Sequence, residues 1–136
     1  MTEIGSSSID VAVEHNSTPL YTLRTVFPFT LFPNVIRIYE NRVVIIFKYF
    51  LFRYELPILL AYLKSVTASA SAFFSTMHFE VTGAEQNPTA VYYLKRDEAL
   101  YARRLITGLI LCNKQRIDLT GSSRSEIVKS ALKLGS

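Results

Sequence analysis

The chain has little with which to build a catalytic or metal centre. Its 136 residues include one cysteine, Cys112, and two histidines, His15 and His78. A single thiol excludes an intrachain disulfide. With no Cys-x-x-Cys or His-x-x-x-His spacing, a dedicated transition-metal site has no ligand set. Tryptophan is absent, and five glycines spread along the chain leave no glycine-rich loop to cradle a phosphate. Serine is abundant, but no Gly-x-Ser-x-Gly elbow presents one as a nucleophile. The opening MTEIGSSSID lacks the basic start and apolar core of a secretion signal, so a cytoplasmic location is expected. Together these absences argue for a protein that is not an enzyme and uses no cofactor or metal.

What is present is apolar and aromatic. Nine phenylalanines, eight tyrosines and a hydrophobic fraction of 49 % supply ample core material. A chain of this length buries about two thirds of its unfolded surface, so one ordinary domain needs no staples. Fifteen Lys and Arg against eleven Asp and Glu leave a net charge of +4. That balance permits contact with the phosphates of lipid or nucleic acid without requiring it.

The most apolar stretch is RVVIIFKYFLFRYELPILLAYL, residues 42–63. As a membrane helix it fails, because Lys48, Arg53 and Glu55 fall inside it and each costs about 2.5–3.5 kcal/mol near a bilayer centre. As a buried helix it also fails. Val43, Val44, Ile45, Ile46 and Phe47 are β-branched or aromatic and suit a pleated surface, while Pro57 would break a helix. Strands fit. Glu40-Asn41-Arg42 marks a hairpin after VIRIY, and residues 43–52 read as one strand apolar on both faces. Val43, Ile45, Phe47, Tyr49 and Leu51 share one of those faces and form the candidate interface. A strand of this kind needs a cover, either from its own chain or from a second copy.

The other segments follow the same logic. Residues 1–18 are polar and Ser-rich and are expected to be flexible, with an alternating stretch at 9–14 able to add a strand. Residues 21–27, 34–39, 64–70, 73–82 and 89–94 alternate as strands, while 56–63 is ambiguous between closing one strand and opening the next. The bend FPFTLFP, residues 27–33, is expected to plug one end of the core with its phenylalanines. The small side chains of 64–70 would let another element approach closely.

From Asp97, a good N-cap residue, to about Lys114, the positions Ala102, Leu105, Ile106, Leu109 and Cys112 make a helical stripe. Gly108 inside it suggests a close backbone approach to the sheet. After a break at 118–122, Ser123-Arg124-Ser125-Glu126 reads as a capping box opening a short helix with Ile127, Val128, Ala131 and Leu132 on one face.

Strands followed by a long amphipathic helix suggest an α+β, mainly β fold, with a bent sheet closed by the helix. The segments LRTVFPFTLFPNVIRIYENRV, SAFFSTMHFEV and YYLKRDEALYARRLITGLI carry a resemblance to the pleckstrin-homology-like (PH-like) domains, and most closely to small bacterial proteins of that fold. The resemblance spans residues 22–120. It implies a split antiparallel β-barrel of about seven strands, capped by the C-terminal amphipathic helix and followed by a short extra helix. The expected organisation is a flexible segment at 1–18, the barrel with its capping helix at 19–116, and a short helix or tail at 117–136. The chain departs from phosphoinositide-gripping members in its first hairpin, where Arg37, Arg42 and Lys48 are sparse among apolar residues.

For chemistry, the sequence offers one charged cluster and little else. Lys95, Arg96, Arg103 and Arg104 flank the long helix as a candidate anion-binding group. The competing reading of that cluster is a solvated helix face pairing with Asp97 and Glu98. Those two carboxylates suit a helix start electrostatically and need no catalytic role. Cys112 belongs with the core, and His78 with a strand wall. The function expected is a non-catalytic binding or scaffold module acting through protein–protein contact, with a protein partner that includes a second copy of itself. Peripheral contact with an anionic inner-membrane surface is the secondary expectation, and single-stranded nucleic acid stacked on the aromatic strand is the alternative.

Overall fold

A computed structural model of the chain describes residues 18–27, 32–83, 88–115 and 123–135. The elements in order are β1 (Tyr21–Arg24), β2 (Val35–Ile38), β3 (Arg42–Lys48), β4 (Arg53–Leu59), β5 (Leu63–Ala70), β6 (Phe74–Val81), β7 (Thr89–Lys95), helix α1 (Arg96–Lys114) and helix α2 (Arg124–Gly135). The fold is α+β and mainly β, with antiparallel sheets in the orders β1-β2-β3-β4 and β5-β6-β7. The strand expected at 9–14 and the break at 118–122 lie outside the described residues, as does most of the 28–33 bend. No helix among the described residues is long and apolar enough to cross a membrane.

The run 42–63 is a hairpin and not the single long strand that 43–52 suggested. Strands β3 and β4 pair from Arg42 with Leu59 to Lys48 with Arg53. The Tyr49 amide donates to the Phe52 carbonyl at 2.8 Å, which leaves Phe50 and Leu51 at the corner. None of the four turn residues is Gly, Pro, Asn or Asp, so the usual local turn signals are missing.

Pro57 sits inside β4 without cost to the ladder. The Leu60 amide donates to Asn41 at 3.0 Å, and together with the Tyr49–Phe52 bond this sets which residue pairs exchange hydrogen bonds. Pro57, opposite Val44, falls between those pairs, so its nitrogen faces away from β3 on an edge strand.

The inner faces of both sheets and α1 share one core. Leu23, Ile36, Ile38, Val43, Ile45 and Ile58 from the first sheet meet Val66, Met77, Phe79, Val91 and Leu94 from the second. Helix α1 adds Ala99, Ala102, Leu105, Ile106 and Leu109, the stripe read from the sequence with one turn added at its start. On the opposite face of β2 and β3, Val35 and Ile46 are each only 1 % exposed. Val44 on that face is half-buried and Lys48 exposed, so the outer face of β3 is covered in part.

The sheets join at one corner, where Thr25 bridges Leu94 and the Val26 amide donates to the Tyr93 carbonyl at 2.9 Å. The register of β7 on β6 slips beside this joint, between Ser75 and Met77. Tyr93 there has φ of 61°, a left-handed conformation that costs a side chain about 1–2 kcal/mol. The bulge re-aims β7 so that its Tyr93 carbonyl meets β1.

Helix α1 starts directly off β7, so its N-cap is Lys95, with no side-chain cap bond, and not Asp97 as expected. Asp97 and Glu98 lie in the first turn, where the helix dipole favours acids. The close approach expected between Gly108 and the sheet is instead an approach to α2. A Cβ on Gly108 would lie 2.7 Å from Ala131 Cα and overlap its carbonyl, and one on Gly135 would lie 2.9 Å from the Gly108 amide nitrogen. The helices run antiparallel, with Arg104 Nε donating to the Leu132 carbonyl at 3.0 Å. Ser123 caps α2 through the Glu126 amide at 3.3 Å. Ile127 and Ala131 enter the common core, which makes α2 part of the folded body.

Candidate binding surface

Among the described residues, several of the exposed large hydrophobics gather at one end of the first sheet. Val35 pairs with Arg24 and with Ile46, so the β1–β2 connection and the β3–β4 turn emerge side by side. Asn34 clamps their bases: its amide donates to Thr25 Oγ1 at 2.9 Å, and its Oδ1 accepts from the Lys48 amide at 3.0 Å. Above this clamp stand Phe27 (66 % exposed), Phe50 (77 %), Leu51 (83 %) and Phe52 (66 %). Tyr49 stacks on Phe52 at 4.7 Å between centroids, and Phe32 meets Phe50 edge-on at 5.9 Å. The joint with the second sheet adds Tyr93, whose ring is edge-on to Phe74 at 6.0 Å. Large apolar side chains gathered on a surface in this way make it a candidate contact surface.

Charge frames the patch. Lys48 and Arg53 close the base of the turn as a cross-strand pair, and Arg53 is held by Glu55 at 2.8 Å. Around the sheet corner lies a groove of about 520 Å³ lined by Thr22, Arg24, Phe27, Lys95 and Glu98 among others. Arg24 and Lys95 flank the Thr25–Leu94 bridge on adjacent strands, so two cations stand near one another at this end.

The four basic residues singled out in the sequence do not form one site. Lys95 and Arg96 head the helix, while Arg103 and Arg104 lie about 10–14 Å farther along its axis at 1.5 Å per residue. Arg104 is committed to the α2 backbone. Of the candidate interface residues, Val43 and Ile45 are completely buried core residues, which corrects their assignment to a contact face. An all-apolar strand does not reveal which face points inward, and here that face is the inner one. Phe47 is half-buried against Tyr54 at 6.4 Å between centroids, and only Tyr49 and Leu51 of the five reach the surface patch.

The phenylalanines expected to plug the core do the reverse where they are described: Phe27 and Phe32 are exposed. Phe50, Phe52 and Tyr54 are exposed as well. The signal that finds them is the framing of four successive apolar residues by two cations, Lys48-Tyr49-Phe50-Leu51-Phe52-Arg53.

The remaining reactive groups have ordinary surroundings. His78 is half-buried on β6, with Thr67 and Ala90 as cross-strand neighbours. Tyr21 lies against Tyr101 at 4.7 Å between centroids; burial, then the Glu98 carboxylate and Tyr101, push its hydroxyl pKa up. No group of three His, Cys, Asp or Glu that could hold a metal occurs among the described residues.

Cys112 is 1 % exposed, and burial pushes its thiol pKa up. Both effects withhold the thiolate. The native protein at pH 8 should therefore react with a thiol-specific disulfide reagent far more slowly than the protein in denaturant. Equal rates would place Cys112 outside the core.

No protein-family model, curated protein or solved structure matches this chain.

Proposed function

We propose that the chain is a non-catalytic binding module of PH-like split-barrel architecture, working at the periphery of a membrane, with the aromatic end as its contact surface. The observation that carries this reading is the β3–β4 turn, whose exposed tip Phe50-Leu51-Phe52 is backed by Lys48 and Arg53. A convex apolar tip with cations at its base suits an anionic lipid surface. The rings enter the upper 5–10 Å or so of the interface, while the longer cationic side chains stay at headgroup level. Lys95, Arg96 and Arg24 add positive charge at the same end. Phosphate-bearing lipid is favoured over a protein partner because the apolar face first expected to bind protein is largely core.

Co-sedimentation with phosphatidylcholine vesicles, with and without phosphatidylglycerol, tests the reading. The protein should pellet with anionic vesicles at low salt and less at high salt, as screened charge contacts do. The double variant Phe50→Ser/Leu51→Ser should bind at least about tenfold more weakly, since burying one large apolar side chain contributes about 1.5–3 kcal/mol. Failure to pellet with anionic vesicles at low salt would remove the proposal. A steeply salt-dependent shift of single-stranded RNA in its place would support the nucleic-acid alternative.

A further inference from the structure

We infer that the outer edge of β5 is a self-association edge, through which two copies of the chain pair antiparallel and join their three-stranded sheets. This inference is independent of the lipid-binding reading.

Strand β5 ends its sheet on one side, while β7 on the other side is bridged to β1. The Ser71 amide donates to the Phe74 carbonyl at 2.8 Å, and the ladder below it alternates from that pair. Ser69, Thr67 and Ser65 therefore turn their backbone groups toward β6. The amides and carbonyls of Val66, Ala68 and Ala70 point the opposite way and have no partner among the described residues. These groups form a ready template for another strand.

The two free sheet edges differ. The β4 edge carries Pro57 and the Arg53–Glu55 pair, features that discourage strand addition. The β5 edge has no proline and no charge from Ser65 to Ala72, and the nearest charge, Lys64, leans to Glu80 at 3.9 Å.

The edge is self-complementary in one register. With Ala68 opposite Ala68 of the second copy, Val66 falls opposite Ala70 and Thr67 opposite Ser69. All three outward-facing residues are then bonded at once, for about six hydrogen bonds in an antiparallel ladder. The side chains brought together are small. The register ends at Ala70, beyond which Ser71–Phe74 turn the chain back to β6. A two-fold contact of this kind is closed and limits assembly to a dimer. Its modest area suits an affinity on the order of micromolar.

Sedimentation equilibrium of the lipid-free protein over a wide concentration range tests this. The mass should rise from 15.4 kDa toward twice that value. Ala68→Pro removes an amide that the chain's own ladder does not use, and should weaken association at least tenfold with an unchanged circular dichroism spectrum. Thr67→Lys/Ser69→Lys places like charges opposite each other and should likewise give monomers. Thr67→Lys/Ser69→Glu sets opposite charges in the same register and should restore a salt-sensitive dimer. The tip variant Phe50→Ser/Leu51→Ser should associate like the parent chain.

A single-chain mass at the highest concentration overturns the inference. So does a dimer indifferent to both Ala68→Pro and Thr67→Lys/Ser69→Lys, or one abolished by the tip substitutions. Failure of the glutamate variant to recover what the double lysine loses would exclude this register.

Discussion

Gly108→Ala should destabilise the fold by about 1–3 kcal/mol, the usual cost of overpacking, and loosen α2 first. Helix propensity alone argues the other way, since alanine in a helix interior is favoured over glycine by about 1 kcal/mol. The clash decides the sign. The added methyl would lie 2.7 Å from Ala131 Cα and run into the carbonyl of the same residue, and neither is the end of a flexible side chain. The helices must separate, which pulls Ile127 and Ala131 from the core and strains the Arg104–Leu132 bond. Denaturant unfolding would report the lost stability, and hydrogen exchange would show α2 amides losing protection before those of the strands. An unchanged or raised midpoint would mean that the helices are not packed backbone to backbone at Gly108.

Phe79→Ala should cost more, about 3–5 kcal/mol, because it removes a large ring and leaves a cavity. Phe79 is completely buried on β6, opposite Val66 on β5 and Thr89 on β7. Its position in the middle strand leaves neighbours on both sides that are tied into ladders and cannot easily collapse into the space. A domain of ordinary stability has about 5–15 kcal/mol in total, so the variant loses a large part of it. The contrast is Phe50→Ala. At 77 % exposure that ring supports little of the fold, and its removal should change stability by less than about 0.5 kcal/mol. Thermal unfolding of the two variants side by side measures the difference. Similar losses from both would contradict the assignment of Phe50 to a surface and Phe79 to the core.

The sequence revealed the elements more readily than their ends. The alternation of 34–39 put Ile36 and Ile38 on one face, and both are core residues. The stripe Ala102, Leu105, Ile106, Leu109 and Cys112 is buried as its helical spacing required. The turn at Tyr49–Phe52 was not readable, because its residues look like more strand. Asp97 was overtaken as a cap by Lys95 because β7 runs into the helix without a loop.

The candidate binding surface was less legible than the core, for a physical reason. Hydrophobic residues signal burial, and Phe27, Phe50 and Leu51 obey the same composition rules as Phe79 while standing in water. The cations at 48 and 53 were visible, but as arguments against a membrane helix. They became a frame only when the hairpin brought them across from one another.

Local chemistry alone determined that the greasy middle of the chain is extended, that residues near 97–114 are helical, and that no intrachain disulfide can form. Side-chain branching, charge spacing and residue counts do not depend on distant partners. Tertiary structure decided which face of β3 is inner, what Gly108 approaches, and which strands lie outermost in each sheet. Each of those is a relation between segments far apart in the chain. Period-two and period-3.6 patterns describe a segment's own faces but carry no information about what will lie against them.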